Sequence, residues 1–237
     1  MDQSAETAAE YQDFLTLRGG IMKVLGSRLL ARIAIVALGL ASAACPESAR
    51  AAPLSDRDLQ AKLQYCKTCH GVYGQGYHGA FPIPRLAGQQ TEYVENQLRA
   101  FIERRRENKF MFTVTHVLSP EMVKALAAEF KDLDPKPLGG APRELAAAGK
   151  KIYEEGIPSA NVPPCANCHG ADAKGNGPFP RLAGQLDDYI VRKLVNWSKE
   201  RGQDPAHPDT SALMEPIAHG LSESQIRAVA AYLSNLE

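Results

Sequence analysis

Apolar residues recur with a helical period in the first half of the chain. Four of them fall at positions i, i+4, i+7 and i+8 and so share one helix face: Val94, Leu98, Phe101 and Ile102. The basic run 104–106 follows, and positive side chains at the end of a helix interact favourably with its dipole. The pattern predicts an amphipathic helix that ends in a solvated basic segment.

Two further helices carry capping signals. Ser119 precedes Pro120, which places a capping hydroxyl before a proline at the first helical position. Ser222 and Gln225 have the spacing of a capping box. Apolar stripes follow both caps, at Val123, Leu126, Ala127 and Phe130 and at Ile226, Val229, Ala230 and Leu233. Since no segment alternates with a period of two, the sequence predicts an all-α fold.

The chain contains an internal repeat. The hexapeptide Pro-Arg-Leu-Ala-Gly-Gln occurs at 84–89 and again at 180–185. Each copy then has a methionine, Met111 or Met214, seven residues before a Leu-Ser pair that precedes the closing helix. A repeat of this length predicts two similar structural units.

Each copy also contains the pentapeptide CxxCH. Its chemically active residues are Cys66, Cys69 and His70 in the first copy and Cys165, Cys168 and His169 in the second. Two thiols at this spacing attach a haem covalently, and the adjacent histidine ligates its iron. The sequence therefore predicts two covalently bound haem c groups. A zinc or iron–sulfur protein would leave the histidine after each motif unexplained.

The first 52 residues resemble a targeting segment rather than a folded domain. Arg28 and Arg32 precede an apolar run, 33–44, that is shorter than the roughly 20 residues needed to span a bilayer. This pattern is typical of an export signal, so we expect a periplasmic protein. The fifth cysteine, Cys45, lies in this segment; membrane association is expected only if Cys45 is lipidated, and a discarded signal residue is the simpler interpretation.

The remaining length suits two small domains. A proline- and glycine-rich segment, 134–142, separates the repeats and stops the preceding helix. We expect an N-terminal extension at 1–52, a first domain at 53–137 and a second at 138–237. The chain has 27 basic and 27 acidic residues, and no basic field suited to nucleic acid is found.

Together these motifs resemble the class I cytochromes c, and their tandem arrangement resembles the dihaem cytochrome c4 group of bacterial electron carriers. The resemblance covers nearly all of residues 55–237. It implies a carrier of single electrons rather than an enzyme, with a quinol-oxidising complex or a dehydrogenase as donor and a terminal oxidase as acceptor. The alternative is an electron-accepting subunit of a periplasmic dehydrogenase.

The resemblance also implies roles for individual residues. Axial ligands of the two irons would be His70 with Met111 and His169 with Met214. The carbonyl groups of Pro84 and Pro180 would accept the Nδ1 hydrogen of these histidines, a bond that fixes the tautomer and angle of a ligand.

The methionine assignments leave alternatives open. A thioether ligand favours ferrous iron and suits an electron carrier, whereas an enzyme needs an open iron position. Met214 lies in a proline-containing segment, 211–216, that is predicted to be irregular. Met111 lies between two phenylalanines and is instead a core residue if His116 or Met122 is the ligand.

Arg85 and Arg181 follow the two prolines of the hexapeptides. A guanidinium group binds a carboxylate through two parallel hydrogen bonds, so both residues are candidates to hold a haem propionate. The alternative is that both are solvated loop cations.

We predict that Met214→Ala lowers the midpoint potential of the haem attached to Cys165 and Cys168, because the variant loses the ligand that favours ferrous iron. A potentiometric titration followed by visible spectra measures both potentials. If both midpoints keep their wild-type values, Met214 is not the ligand.

Overall fold

The computed structural model describes residues 53–201 and 210–237, and the predicted all-α fold is confirmed there. Its helices are α1 (Asp56–His70), α2 (Thr91–Ile102), α3 (Lys109–Thr115), α4 (Pro120–Lys131), α5 (Ala146–Glu155), α6 (Ala166–His169), α7 (Asp187–Val195), α8 (Trp197–Glu200), α9 (Met214–His219) and α10 (Glu223–Ser234). Short 3₁₀ helices lie at Arg143–Leu145, Pro158–Ala160 and Thr210–Leu213. β-Structure in the described ranges is limited to isolated bridges. None of the helices described is long and apolar enough to cross a bilayer. The expected export signal and Cys45 lie outside the described residues.

The first repeat has its core between α1, α2 and α4. Leu63 of α1 packs with three residues of α4, Met122, Leu126 and Phe130, and all four are buried. The Ser119 hydroxyl accepts a hydrogen bond from the Met122 amide, which confirms the predicted cap. Since Met122 takes part in this core, its side chain is already used for packing.

The second repeat has a matching core between α5, α7 and α10. Tyr153 of α5 and Ile190 of α7 pack against the buried residues Val229, Ala230 and Leu233 of α10. Ser222 and Gln225 form the predicted capping box, in which each side chain hydrogen-bonds the other residue's backbone.

Both hexapeptides are docked on the closing helix of their own repeat. The amide of Gly88 donates to the Phe130 carbonyl at the end of α4, and the amide of Gly184 donates to the Leu233 carbonyl in α10, both at 2.9 Å. These equivalent bonds show that the repeat in sequence is also a repeat in structure.

Two local predictions are wrong. Helix α2 ends at Ile102, Arg104 has a left-handed φ of 59°, and the chain then turns Arg106 into the protein, where only 8% of it is exposed. The basic segment 104–106 is therefore not solvated along its whole length, because its last residue is buried. Met214 begins α9 directly after the 3₁₀ helix Thr210–Leu213, so its surroundings are helical rather than irregular.

We predict that Gly149→Ala destabilises the protein by about 1–3 kcal/mol, the usual effect of overpacking. Gly149 is buried in α5 where α10 crosses it, and an added Cβ would overlap the Ala228 carbonyl. Alanine is favoured in helices by up to ~1 kcal/mol, so propensity alone would give the opposite sign. Guanidinium chloride unfolding of the haem-loaded protein measures the change.

Ala148→Gly, at an exposed position of α5, is the control, because only helix propensity acts there. Unchanged or increased stability of Gly149→Ala would contradict the prediction.

Candidate haem sites

The first CxxCH motif forms the last turns of α1. Cys69 is exposed, Cys66 is half-buried, and His70 ends the helix with 8% exposure. Gly71 follows with φ of 90° and turns the chain back, so that the Gly76 amide donates to the His70 carbonyl. This turn returns the chain toward the hexapeptide, which supplies the partner of the His70 ring.

The second motif has the same geometry on a shorter helix. Cys165 caps α6, Cys168 is exposed, and His169 ends the helix with 5% exposure. Gly170 has φ of 82°, and the Gly175 amide donates to the His169 carbonyl. The structure therefore brings two thiols and one buried imidazole together in each repeat.

Each buried imidazole has a proline carbonyl as partner. His70 Nδ1 lies 3.0 Å from the Pro84 oxygen, and His169 Nδ1 lies 3.0 Å from the Pro180 oxygen. Because a carbonyl only accepts, each Nδ1 carries hydrogen and each Nε2 presents its lone pair when the ring is neutral. Burial lowers the pKa of both histidines despite these bonds, which favours the neutral ring that an iron ligand requires.

The partly buried thiol of each motif has a raised pKa. Burial raises the pKa of Cys66, and it raises the pKa of Cys165 to about 11. Zinc and iron–sulfur sites need deprotonated cysteines, whereas a thioether bond to haem does not keep the sulfur as an anion. This donor set fits a covalently attached haem.

The candidate distal methionines lie on short helices. Met111 is half-buried in α3, whose first turn is capped by the Asn108 side chain, and Met214 is half-buried at the start of α9. The Trp197 indole of α8 donates to the Ser211 carbonyl and holds the segment before Met214. His116 is exposed, and its ring stacks on Phe112. The ligand roles of these residues stay predictions.

Arg85 and Arg181 are buried, with 3% and 8% exposure, so they are not solvated loop cations. Each Nε donates to a carbonyl two residues later, Ala87 or Ala183. Both terminal nitrogens of Arg85 lack a hydrogen-bond partner, and the exposed Asp134 carboxylate lies 3.6 Å from one of them. Burial and the neighbouring Arg181 lower the pKa of Arg85 to about 10. A buried guanidinium with unused donors fits a carboxylate such as a haem propionate.

The two repeats contact each other through residues that sequence reasoning did not assign to a site. Arg106 donates to the Tyr189 hydroxyl at 2.8 Å and to Gln97 Oε1 at 2.8 Å. Arg201 of the second repeat reaches the Tyr93 hydroxyl at 3.4 Å and also donates to Gln97. Single residues in a basic run carry no signal of such contacts, which join residues 83 to 108 positions apart.

Tyr153 is another residue that the motifs did not predict. It is fully buried in α5, and its hydroxyl donates to the Gly170 carbonyl at 2.5 Å, directly after His169. Tyr153 therefore ties the end of the second CxxCH motif to the helical core.

Comparison with known proteins gives consistent matches. A family model described as cytochrome c matches residues 146–237. Cytochrome c4 of Thiocapsa roseopersicina is 39% identical over 176 residues, which are 72% of this chain and 86% of the relative. The thiosulfate dehydrogenase electron acceptor of Thiomonas intermedia (strain K12) is 34% identical over 206 residues, 85% of this chain and 89% of the relative. A solved cytochrome c4 structure from Acidithiobacillus ferrooxidans has a TM-score of 0.64 at 35% identity and covers 73% of this chain and 99% of that one.

We predict that Tyr153→Phe destabilises the protein by about 1 kcal/mol at neutral pH, the usual effect of losing a hydrogen bond. Burial raises the pKa of Tyr153 above its ordinary value of 10.0. The folded state therefore keeps a proton that the unfolded chain releases above pH 10, and the advantage of the wild type declines as pH rises further. Guanidinium chloride unfolding between pH 7 and 11 measures both effects. Tyr232→Phe, on the ring packed against Tyr153, is the matched control. A difference that stays constant to pH 11 would contradict the proposed ionisation.

Proposed function

We propose that this chain, which belongs to the cytochrome c4 family, carries single electrons in the periplasm between a respiratory donor and a terminal acceptor. Membership of the family confirms the resemblance inferred from the motifs and makes the chain a dihaem c-type electron carrier. The observation that carries the proposal is the duplicated site geometry. In both repeats a CxxCH histidine is buried and lies 3.0 Å from a proline carbonyl.

In this proposal each haem would be held by residues of one repeat. Cys66 with Cys69, and Cys165 with Cys168, form the thioether bonds. His70 and His169 would be the proximal ligands, and Met111 and Met214 the distal ones. The haem supplies an iron centre that gains and loses one electron without bond rearrangement in the protein.

The residues of the chain keep the two sites rigid. Pro84 and Pro180 orient the proximal rings through their carbonyl groups. Arg85 and Arg181 would hold propionates, because both guanidinium groups are buried and the terminal nitrogens of Arg85 have no hydrogen-bond partner. A site that does not rearrange on electron transfer needs little activation, so these fixed contacts support rapid exchange.

We place the domain boundaries at 53–137 and 138–237, supported by the absence of helix at 133–142. The periplasmic location is supported by the signal-like pattern of the first 52 residues. Lipidation of Cys45 would add a membrane anchor.

The partners we propose are a quinol-oxidising complex or a dehydrogenase as donor and a terminal oxidase as acceptor. A second candidate function is that of an electron-accepting subunit of a dehydrogenase. It is favoured by the Thiomonas intermedia relative, which is named for accepting electrons from thiosulfate dehydrogenase. The two candidates differ in whether the chain moves freely between partners or stays bound to one enzyme.

We predict that the purified protein contains two covalent haems by intact mass. A spectral titration should show two high midpoint potentials, because the proposed distal ligand of each iron is a methionine sulfur. Oxidase-containing membranes of the source organism should reoxidise the reduced protein, with a rate that falls at high ionic strength if charge steers the encounter. One haem, or one low potential, would contradict the proposal. Stable co-purification with a dehydrogenase subunit would instead favour the second candidate.

A further inference from the structure

The peptide group between Pro84 and Arg85 is hydrogen-bonded at both ends. Its carbonyl accepts the Nδ1 hydrogen of His70 at 3.0 Å. Its N–H, which is the Arg85 amide, donates to Gln185 Oε1 at 2.9 Å. Gln185 belongs to the second repeat, so the partner of the first proximal histidine is itself bound by the other half of the molecule.

The second site has the same arrangement with the repeats exchanged. The Pro180 carbonyl accepts from His169 at 3.0 Å, and the Arg181 amide of the same peptide group donates to Gln89 Oε1 at 2.7 Å. Gln89 is the last residue of the first hexapeptide. The two hexapeptides therefore bind each other reciprocally.

Each glutamine is fixed by a second bond. Gln185 Nε2 donates to the Arg85 carbonyl at 3.0 Å, and Gln89 Nε2 donates to the Arg181 carbonyl at 3.1 Å. Both glutamines are buried, with 6% and 5% exposure. Because the amide nitrogen faces a carbonyl, the amide oxygen must face the N–H, and the orientation of each side chain is determined.

We infer that each glutamine tunes the proximal histidine of the opposite repeat. A peptide group whose N–H donates a hydrogen bond is polarised, and its carbonyl becomes a stronger acceptor. A stronger acceptor at Nδ1 makes the imidazole a more basic ligand, which stabilises ferric iron and lowers the reduction potential. Gln185 thus lowers the potential of the haem at His70, and Gln89 that of the haem at His169. The inference rests on the proposed ligand roles of the two histidines.

A purely structural role of Gln89 and Gln185 predicts a different experimental result. Two glutamines that only held the repeats together would act on both haems alike or on neither. In the tuning role, a substitution in one repeat changes the potential of the haem in the other repeat. The positioning role of Gln89 and Gln185 is therefore tested by the identity of the haem that responds.

The test replaces each glutamine by methionine, which has similar length and lacks both hydrogen-bonding groups. Gln185→Met should raise the midpoint potential of the first haem and leave the second unchanged, and Gln89→Met should do the reverse. The readout is a redox titration followed by NMR of protein labelled with [¹⁵N]histidine, in which each Nδ1–H is assigned from contacts within its own repeat. In the ferrous protein the Nδ1–H resonance of the affected histidine should also move upfield, since its hydrogen bond is weaker.

Gln90→Met is the matched control. Gln90 Nε2 crosses to the second repeat as well and donates to the carbonyl groups of Lys174 and Gly175, at 2.8 and 3.0 Å. These carbonyls do not belong to a peptide group that accepts from a proximal histidine. Neither potential should move in this variant, although it loses two contacts between the repeats.

Either methionine variant decides the inference alone, because each predicts a different haem to respond. If neither methionine variant incorporates haem, Gln185→Asn and Gln89→Asn keep a neutral amide but shorten it, which weakens both of its hydrogen bonds and should raise the potential of the opposite haem by less. The inference is overturned if both haems shift together, if the haem of the mutated repeat shifts, or if neither shifts. A wild-type protein without two covalent haems would instead overturn the proposed function.

Discussion

The structure depends on one requirement in each repeat: a buried imidazole must stay neutral and keep a partner for its Nδ1 hydrogen. The Pro84 and Pro180 carbonyls meet this requirement, and they do so from loops without regular secondary structure. A loop provides a fixed acceptor only if its own backbone is fixed. The amides of Gly88 and Gly184 accordingly bind the closing helices, which couples the orientation of each proximal ring to the packing of its repeat.

The same requirement joins the repeats to each other. A buried peptide N–H needs an acceptor, and the amides of Arg85 and Arg181 find theirs in glutamines of the opposite repeat. Separating the repeats would leave these groups without their partners. Folding of either half is therefore linked to the presence of the other, although each has its own helical core.

The buried charges between the repeats also depend on groups beyond each repeat's own core. Arg85, Arg106, Arg181 and Arg201 are all buried, each with 8% exposure or less. Burial and three neighbouring guanidinium groups lower the pKa of Lys193 to about 6, although the Glu200 carboxylate contacts its ammonium group. Buried cations in this number require anions, and four haem propionates are the anions that the proposed cofactors bring.

The sequence predicted the features that local patterns encode. Helix faces, the caps at Ser119 and Ser222, and the CxxCH motifs depend on spacing within one segment, and all of them could be read before the structure. The position of Arg106 could not, because a left-handed residue at Arg104 redirects the chain after α2. The reciprocal glutamine contacts could not either, since they join residues about a hundred positions apart.

Duplication of one unit gives two similar sites, and a difference in potential between them must come from positions where the repeats diverge. Gln97 and Lys193 are such a pair, each four residues after the tyrosine of its repeat. Gln97 is a neutral amide that accepts from Arg106 and Arg201, whereas Lys193 contacts the Glu200 carboxylate and has its pKa lowered by burial and by the same arginines. Because reduction adds an electron, the charges and dipoles near a haem change its potential. The contact between the repeats is therefore asymmetric at this position, with an amide in one repeat and an amine paired with a carboxylate in the other, and the asymmetry gives the two haems a physical basis for different potentials.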